Sequence, residues 1–120
     1  MENQTTGLKL HKNYSKELCS LTEKEKEIVL PVLMHSNIAR RDNFTILTPN
    51  EWMWIRDEII KEKRYEKITI KQLAEIISNG VKGRYDKYPQ PINSVTIFKW
   101  IEKWIKITYP NRITPNFDID

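Results

Sequence analysis

Apolar residues recur along this chain at spacings of three and four, and the rhythm is punctuated three times by one device. A threonine is followed three places later by Glu or Gln: Thr22 and Glu25, Thr48 and Glu51, Thr69 and Gln72. In such a capping box the hydroxyl accepts from the amide three residues on, and the longer side chain reaches back to the threonine amide. Each therefore predicts a helix start. After Thr48 comes Pro49, pre-set for the first helical position, and Trp52, Ile55 and Ile59 then share one face, with the stem of Lys63 a further candidate. After Thr69 the buried stripe is Leu73, Ile76 and Ile77, and Gly80 is placed to stop the helix in a left-handed conformation. A last helix begins at Asn93 or Ser94, with Val95, Phe98, Ile101 and Ile105 expected toward the core, joined by one edge of Trp104. Trp100 falls to the side of that stripe.

The segment after Thr22 is harder to read. Residues 28–34 are apolar nearly all round, yet Pro31 interrupts them, at a cost of about 3 kcal/mol inside a straight helix. A kinked helix over about 23–39 is expected, with two short helices as the alternative. Residues 44–47 are rich in β formers and short. The fold class expected is all-α: a compact bundle of about four helices, with at most a minor short β pair. Residues 1–16 are expected to form a flexible N-terminal arm, 17–109 a single helical domain, and 110–120 an extended acidic tail.

Composition narrows the class. Only 39% of the 120 residues are apolar, but these include four Trp, five Tyr and three Phe, enough bulk for a small core under a charged surface. The lone Cys19 excludes an internal disulfide and suits a reducing cytoplasm. No signal peptide is visible at residues 1–5, and no apolar run approaches the about 20 residues that span a bilayer. The net charge of +4 is uneven: residues 61–87 hold eight basic and four acidic residues and so account for all of it.

Catalytic patterns are absent from the sequence. Glu51, Asp57, Glu58 and Glu75 are spaced as solvated helix faces and caps, and neither His11 nor His35 has a recognisable triad partner. Gly80 and Gly83 lack the G-K-[ST] ending of a phosphate-binding loop. No enzyme, cofactor or metal site is expected. Trp52 and Trp54 are read as core and partly covered aromatics rather than a ligand cage.

What stands out is a basic aromatic loop feeding a helix that opens on hydroxyl residues. Lys82, Arg84 and Lys87 offer cations for phosphates, and Tyr85 and Tyr88 offer stacking faces. Ser94, Thr96, Lys99 and Lys103 line the helix side. The run from Ser94 to Ile101 is similar to recognition helices of helix-turn-helix proteins. Twelve residues separate Gly80 from Asn93, however, where that motif takes about three or four, so the simple two-helix version does not fit. Three readings stay open for this surface: DNA binding, docking of a protein through aromatic anchors beside cations, and a loop whose tyrosines fold back over the core.

The spacing Gly80-Val81-x-Gly83-x-Tyr85-x-x-Tyr88, then Asn93-x-x-Thr96-x-x-x-Trp100, resembles small uncharacterised proteins of Bacteroidetes phages and mobile elements. Those carry a helix, a G-x-x-G-x-aromatic-x-x-Tyr loop and a T-x-x-x-W helix. The resemblance covers about a third of the chain. It departs at Asp86, where Gly is usual, and in a loop about one residue longer before Asn93. It implies a phage or mobile-element setting and a replication accessory role similar to helicase loaders. Together these readings predict a non-catalytic protein that binds nucleic acid in DNA replication or its regulation. The alternative is an adaptor that grips a replication protein through loop 80–93. No membrane partner is expected.

Overall fold

The three threonine-led starts all close as reciprocal caps. The Thr22 amide donates to Glu25 Oε1 at 2.9 Å, and the Glu25 amide to Thr22 Oγ1 at 3.2 Å. Thr48 and Glu51 do the same at 3.0 and 3.1 Å, as do Thr69 and Gln72. The computed structural model describes residues 15–40, 47–88 and 90–110, with 36–40 as backbone alone. Within them lie four α-helices and no strand: α1 (Val29–Arg40), α2 (Pro49–Lys61), α3 (Ile70–Val81) and α4 (Ser94–Thr108). The chain is all-α, as its periodicity predicts. The strand-like residues 44–46, and most of the proposed arm and tail, lie outside the described residues. No described helix is long and apolar enough to cross a membrane.

The helical residues run unbroken from Glu25 to Arg40, close to the expected 23–39, and change type on the way. The reciprocal bonds at Thr22 precede a 3-10 segment, Glu25–Ile28, whose N-cap position is Lys24, and the α-helix begins at Val29, which puts Pro31 in its first turn. A first-turn position costs a proline less than the helix interior, although here the 3-10 segment lies directly behind it and the Val29 amide bonds back into that segment.

Helix α1 packs chiefly on α3 and also on α2, while α3 packs on α4. The core between them holds Val29 and Leu33, Trp52, Ile55 and Ile59, Leu73, Ile76 and Ile77, and Trp100 and Ile101. Leu18 closes one edge: its amide donates to the Ile68 carbonyl at 2.9 Å, and the Ile70 amide donates to the Lys16 carbonyl at 3.2 Å. This antiparallel bridge, Glu17 to Thr69, is the β pairing among the described residues. Between α2 and α3 the 3-10 turn Lys63–Tyr65 buries Tyr65, whereas Lys63 is exposed and adds nothing to the α2 stripe.

The buried face of α4 is rotated from the expected one. Thr96, Ile97, Trp100, Ile101, Trp104 and Ile105 face inward, Phe98 is half-buried, and Val95 is 59% exposed. The shift is about one residue, or about 100° of helix. Both indoles now reach the interior, and they bury more apolar surface than Val95 and Phe98 would in their place.

A candidate nucleic-acid interface

The loop between α3 and α4 is built by its glycines and two polar anchors. Gly80 does not stop α3; it is buried inside it, its Cα facing the Trp100 ring so closely that a Cβ would overlap the indole. The left-handed residue is Gly83, with φ of 79°. Its amide donates to the Gly80 carbonyl at 3.0 Å and the Arg84 amide to the Asn79 carbonyl at 3.0 Å, the paired bonds of a Schellman ending. At the far end Asn93 caps α4, its Oδ1 accepting from the Thr96 amide at 3.0 Å. Thr96 is 6% exposed, and its hydroxyl donates to the Pro91 carbonyl at 2.7 Å.

Asp86 ties the middle of the loop to α4. Its Oδ2 accepts from Trp100 Nε1 at 2.8 Å, and Lys103 Nζ stands 4.0 Å from its Oδ1. The Lys103 ammonium also donates to the Tyr85 carbonyl. Here the residue that departs from the resembled motif is the acceptor for that motif's tryptophan. Tyr85 itself is turned inward and 9% exposed; its hydroxyl has no hydrogen-bond partner among the described residues, with Asn79 the nearby polar side chain. Burial, opposed in part by Asn79, pushes its phenol above its ordinary value.

Of the nine residues singled out in the sequence, the structure thus divides the roles. Lys82, Arg84, Lys87, Lys99 and Lys103 are exposed, as is Tyr88, at 66%. Lys87 Nζ lies 5.7 Å from the centre of the Tyr88 ring. Tyr85 and Thr96 belong to the packing that holds the loop. Ser94, at the first position of α4, lines a neighbouring groove with Leu47 and Trp54 instead. Trp54 is 52% exposed and meets Phe98 edge-on, with ring centres 6.4 Å apart.

Loop and helix enclose a cleft of about 510 Å³. The loop supplies Asp86, Lys87, Tyr88, Gln90 and Pro91; α4 and its cap supply Asn93, Val95, Thr96, Lys99 and Lys103. That volume lies within the roughly 300–1,000 Å³ range of ligand clefts. Sequence reasoning missed Asp86, Gln90 and Val95, which carry no binding signature of their own. Among the described residues no group of three or more His, Cys, Asp or Glu is placed to hold a metal ion.

No protein-family model matches the chain, and no solved structure matches it. A S-adenosylmethionine:tRNA ribosyltransferase-isomerase of Prochlorococcus marinus (strain MIT 9215) is 28% identical over 116 residues. The match takes in 91% of this chain but only 30% of that protein's length.

Proposed function

We propose that this protein binds nucleic acid, without catalysing a reaction on it, through the cations gathered on loop 82–93 and the outer side of α4. One observation carries the reading. Lys82, Arg84, Lys87 and Lys99 stand exposed with no acidic partner among the described residues, on one loop and the helix it lies along. Elsewhere Lys26, Arg56, Lys61 and Arg64 each sit within 3.0 Å of a carboxylate. Lys24, Lys63, Lys71 and Lys106 are exposed and likewise without an ion pair among the described residues, so it is the grouping on one loop and its helix that sets Lys82, Arg84, Lys87 and Lys99 apart. Unpaired cations on an ordered surface are the footprint of phosphate contact. A place in the DNA replication of a phage or mobile element, or its control, rests on the motif resemblance alone.

A protein partner is the second reading. Tyr88 and Val95 leave apolar surface open beside the same cations, a combination suited to interface anchors. An adaptor for a replication protein, such as a helicase, would use it.

Fluorescence anisotropy against salt separates the two. Labelled DNA, RNA and tRNA are the probes, tRNA being included because the Prochlorococcus protein is named for it. Binding should weaken with a log–log slope near −0.7 to −0.9 per phosphate neutralised, and changing Lys82, Arg84 and Lys87 to Ala should flatten it by about two to three. No binding to any probe at low salt would overturn the nucleic-acid reading and leave the adaptor.

A further inference from the structure

The cleft also constrains which form of nucleic acid fits, on the reading that this surface binds one at all. A recognition helix enters the major groove with its face bare, because the groove is about 12 Å wide and a helix with its side chains is about 10–12 Å across. The first turns of α4 are not bare. Asp86, Lys87, Tyr88, Gln90 and Pro91 form the opposite wall of the cleft that Val95, Lys99 and Lys103 line. Helix plus loop is wider than the groove, and the loop is fastened through Asp86 to Trp100, Thr96 to Pro91 and Lys103 to Tyr85. Moving it aside would break all three ties.

We propose instead that the cleft takes a nucleotide of a single strand, its base against Tyr88 and its phosphate between Lys87 and Lys99. Tyr88 is the exposed aromatic of the cleft, and Lys87 beside its ring brings positive charge to the stacking platform. Lys103 contributes less, since its ammonium is already committed to the Tyr85 carbonyl and Asp86. The groups able to read base edges are partly committed. Asn93 Oδ1 accepts from the Thr96 amide, the Thr96 hydroxyl donates to Pro91, and Gln90 Nε2 donates to the Tyr88 carbonyl at 3.2 Å. With stacking on Tyr88 as the principal contact to the base, binding should tolerate any sequence, as stacking platforms do.

The test compares oligothymidylate and a mixed single strand, each of ~10 nucleotides, with the mixed strand's duplex at one salt concentration. The single strands should bind about equally, and about tenfold or more tighter than duplex. Tyr88→Leu should cost the strands about tenfold and leave weak duplex binding unchanged, while Tyr88→Phe should restore the strands. Tyr88 is exposed, so a circular-dichroism spectrum unchanged in Tyr88→Leu checks that the fold is intact. Duplex binding as tight as the strand, or single-strand binding indifferent to Tyr88→Leu, would overturn the proposal while leaving nucleic-acid binding itself standing. Competition by free thymidine monophosphate as effective as by the oligomer would overturn it in favour of a small-molecule site. Failure of every probe would remove the underlying reading as well.

Discussion

Gly80 and Gly83 stand three residues apart and resist alanine for opposite reasons. At Gly80 the backbone is ordinary helix and the obstacle is the Trp100 ring; at Gly83 there is open space and the obstacle is φ of 79°. Gly80→Ala should therefore destabilise by about 1–3 kcal/mol, the range for overpacking a core. Gly83→Ala should cost about 1 kcal/mol and Gly83→Asn less, because Asn tolerates the left-handed region. Urea denaturation midpoints measure all three. Trp100→Phe tests the next tie: it removes the donor from an Asp86 carboxylate whose side chain is only 11% exposed. A loss of about 2 kcal/mol is expected, and Asp86→Ala on top of it should add far less than it does alone. The spaced motif Gly80, Gly83, Tyr85, Asn93, Thr96 and Trp100 was legible in the sequence; what its members do was not. Gly80 meets Trp100 across twenty positions and Asp86 meets it across fourteen, and no local pattern records such a pairing. Most of these residues hold the loop, and the groups left to touch a ligand lie between them.

At the level of elements, legibility followed the range of the interaction. Caps are decided within four residues, and all three were readable from Thr and Glu or Gln alone. The face that α4 buries was not, because it depends on what α3 offers opposite it, and Gly80 offers a recess that admits an indole. A further tie between elements escaped the pattern. The Tyr65 hydroxyl, on the turn after α2, donates to Glu102 Oε2 on α4 at 2.7 Å, and Arg64 Nη1 meets Oε1 of the same carboxylate at 3.1 Å. Burial first, and then the hydrogen bond to Glu102, push the phenol far above its ordinary value of 10.0. Its folded value is raised, so its contribution is complete below pH of about 10 and is lost as pH rises further, when the unfolded chain ionises and the folded one does not. Tyr65→Phe should cost about 1 kcal/mol near neutrality and should lose less stability than the parent above pH of about 10. Unfolding curves on both sides of that pH check the crossover in slope.

For the whole molecule the question is whether the charge on the loop serves the fold or only its partner. Residues 61–87 carry the entire net charge of +4, and Lys82, Arg84 and Lys87 crowd the end of that stretch with no ion-pair partner among the described residues, the neighbouring Asp86 being turned to Trp100 and Lys103. Like charges on one surface repel, so they contribute nothing favourable to folding and a small unfavourable term that salt screens. The packing ties run instead through Asp86, Thr96, Trp100 and Lys103. Stability and binding should then separate. The triple variant Lys82→Ala, Arg84→Ala, Lys87→Ala should unfold within about 0.5 kcal/mol of the parent, or slightly later at low salt, as surface substitutions do. Its affinity for a single strand should fall steeply, with the difference shrinking as salt rises. Trp100→Phe should lower both quantities together. Thermal melts at low and high salt, run beside the binding curves, decide it. If the triple variant melted several degrees early, these cations would be part of the fold and not held in wait for phosphate.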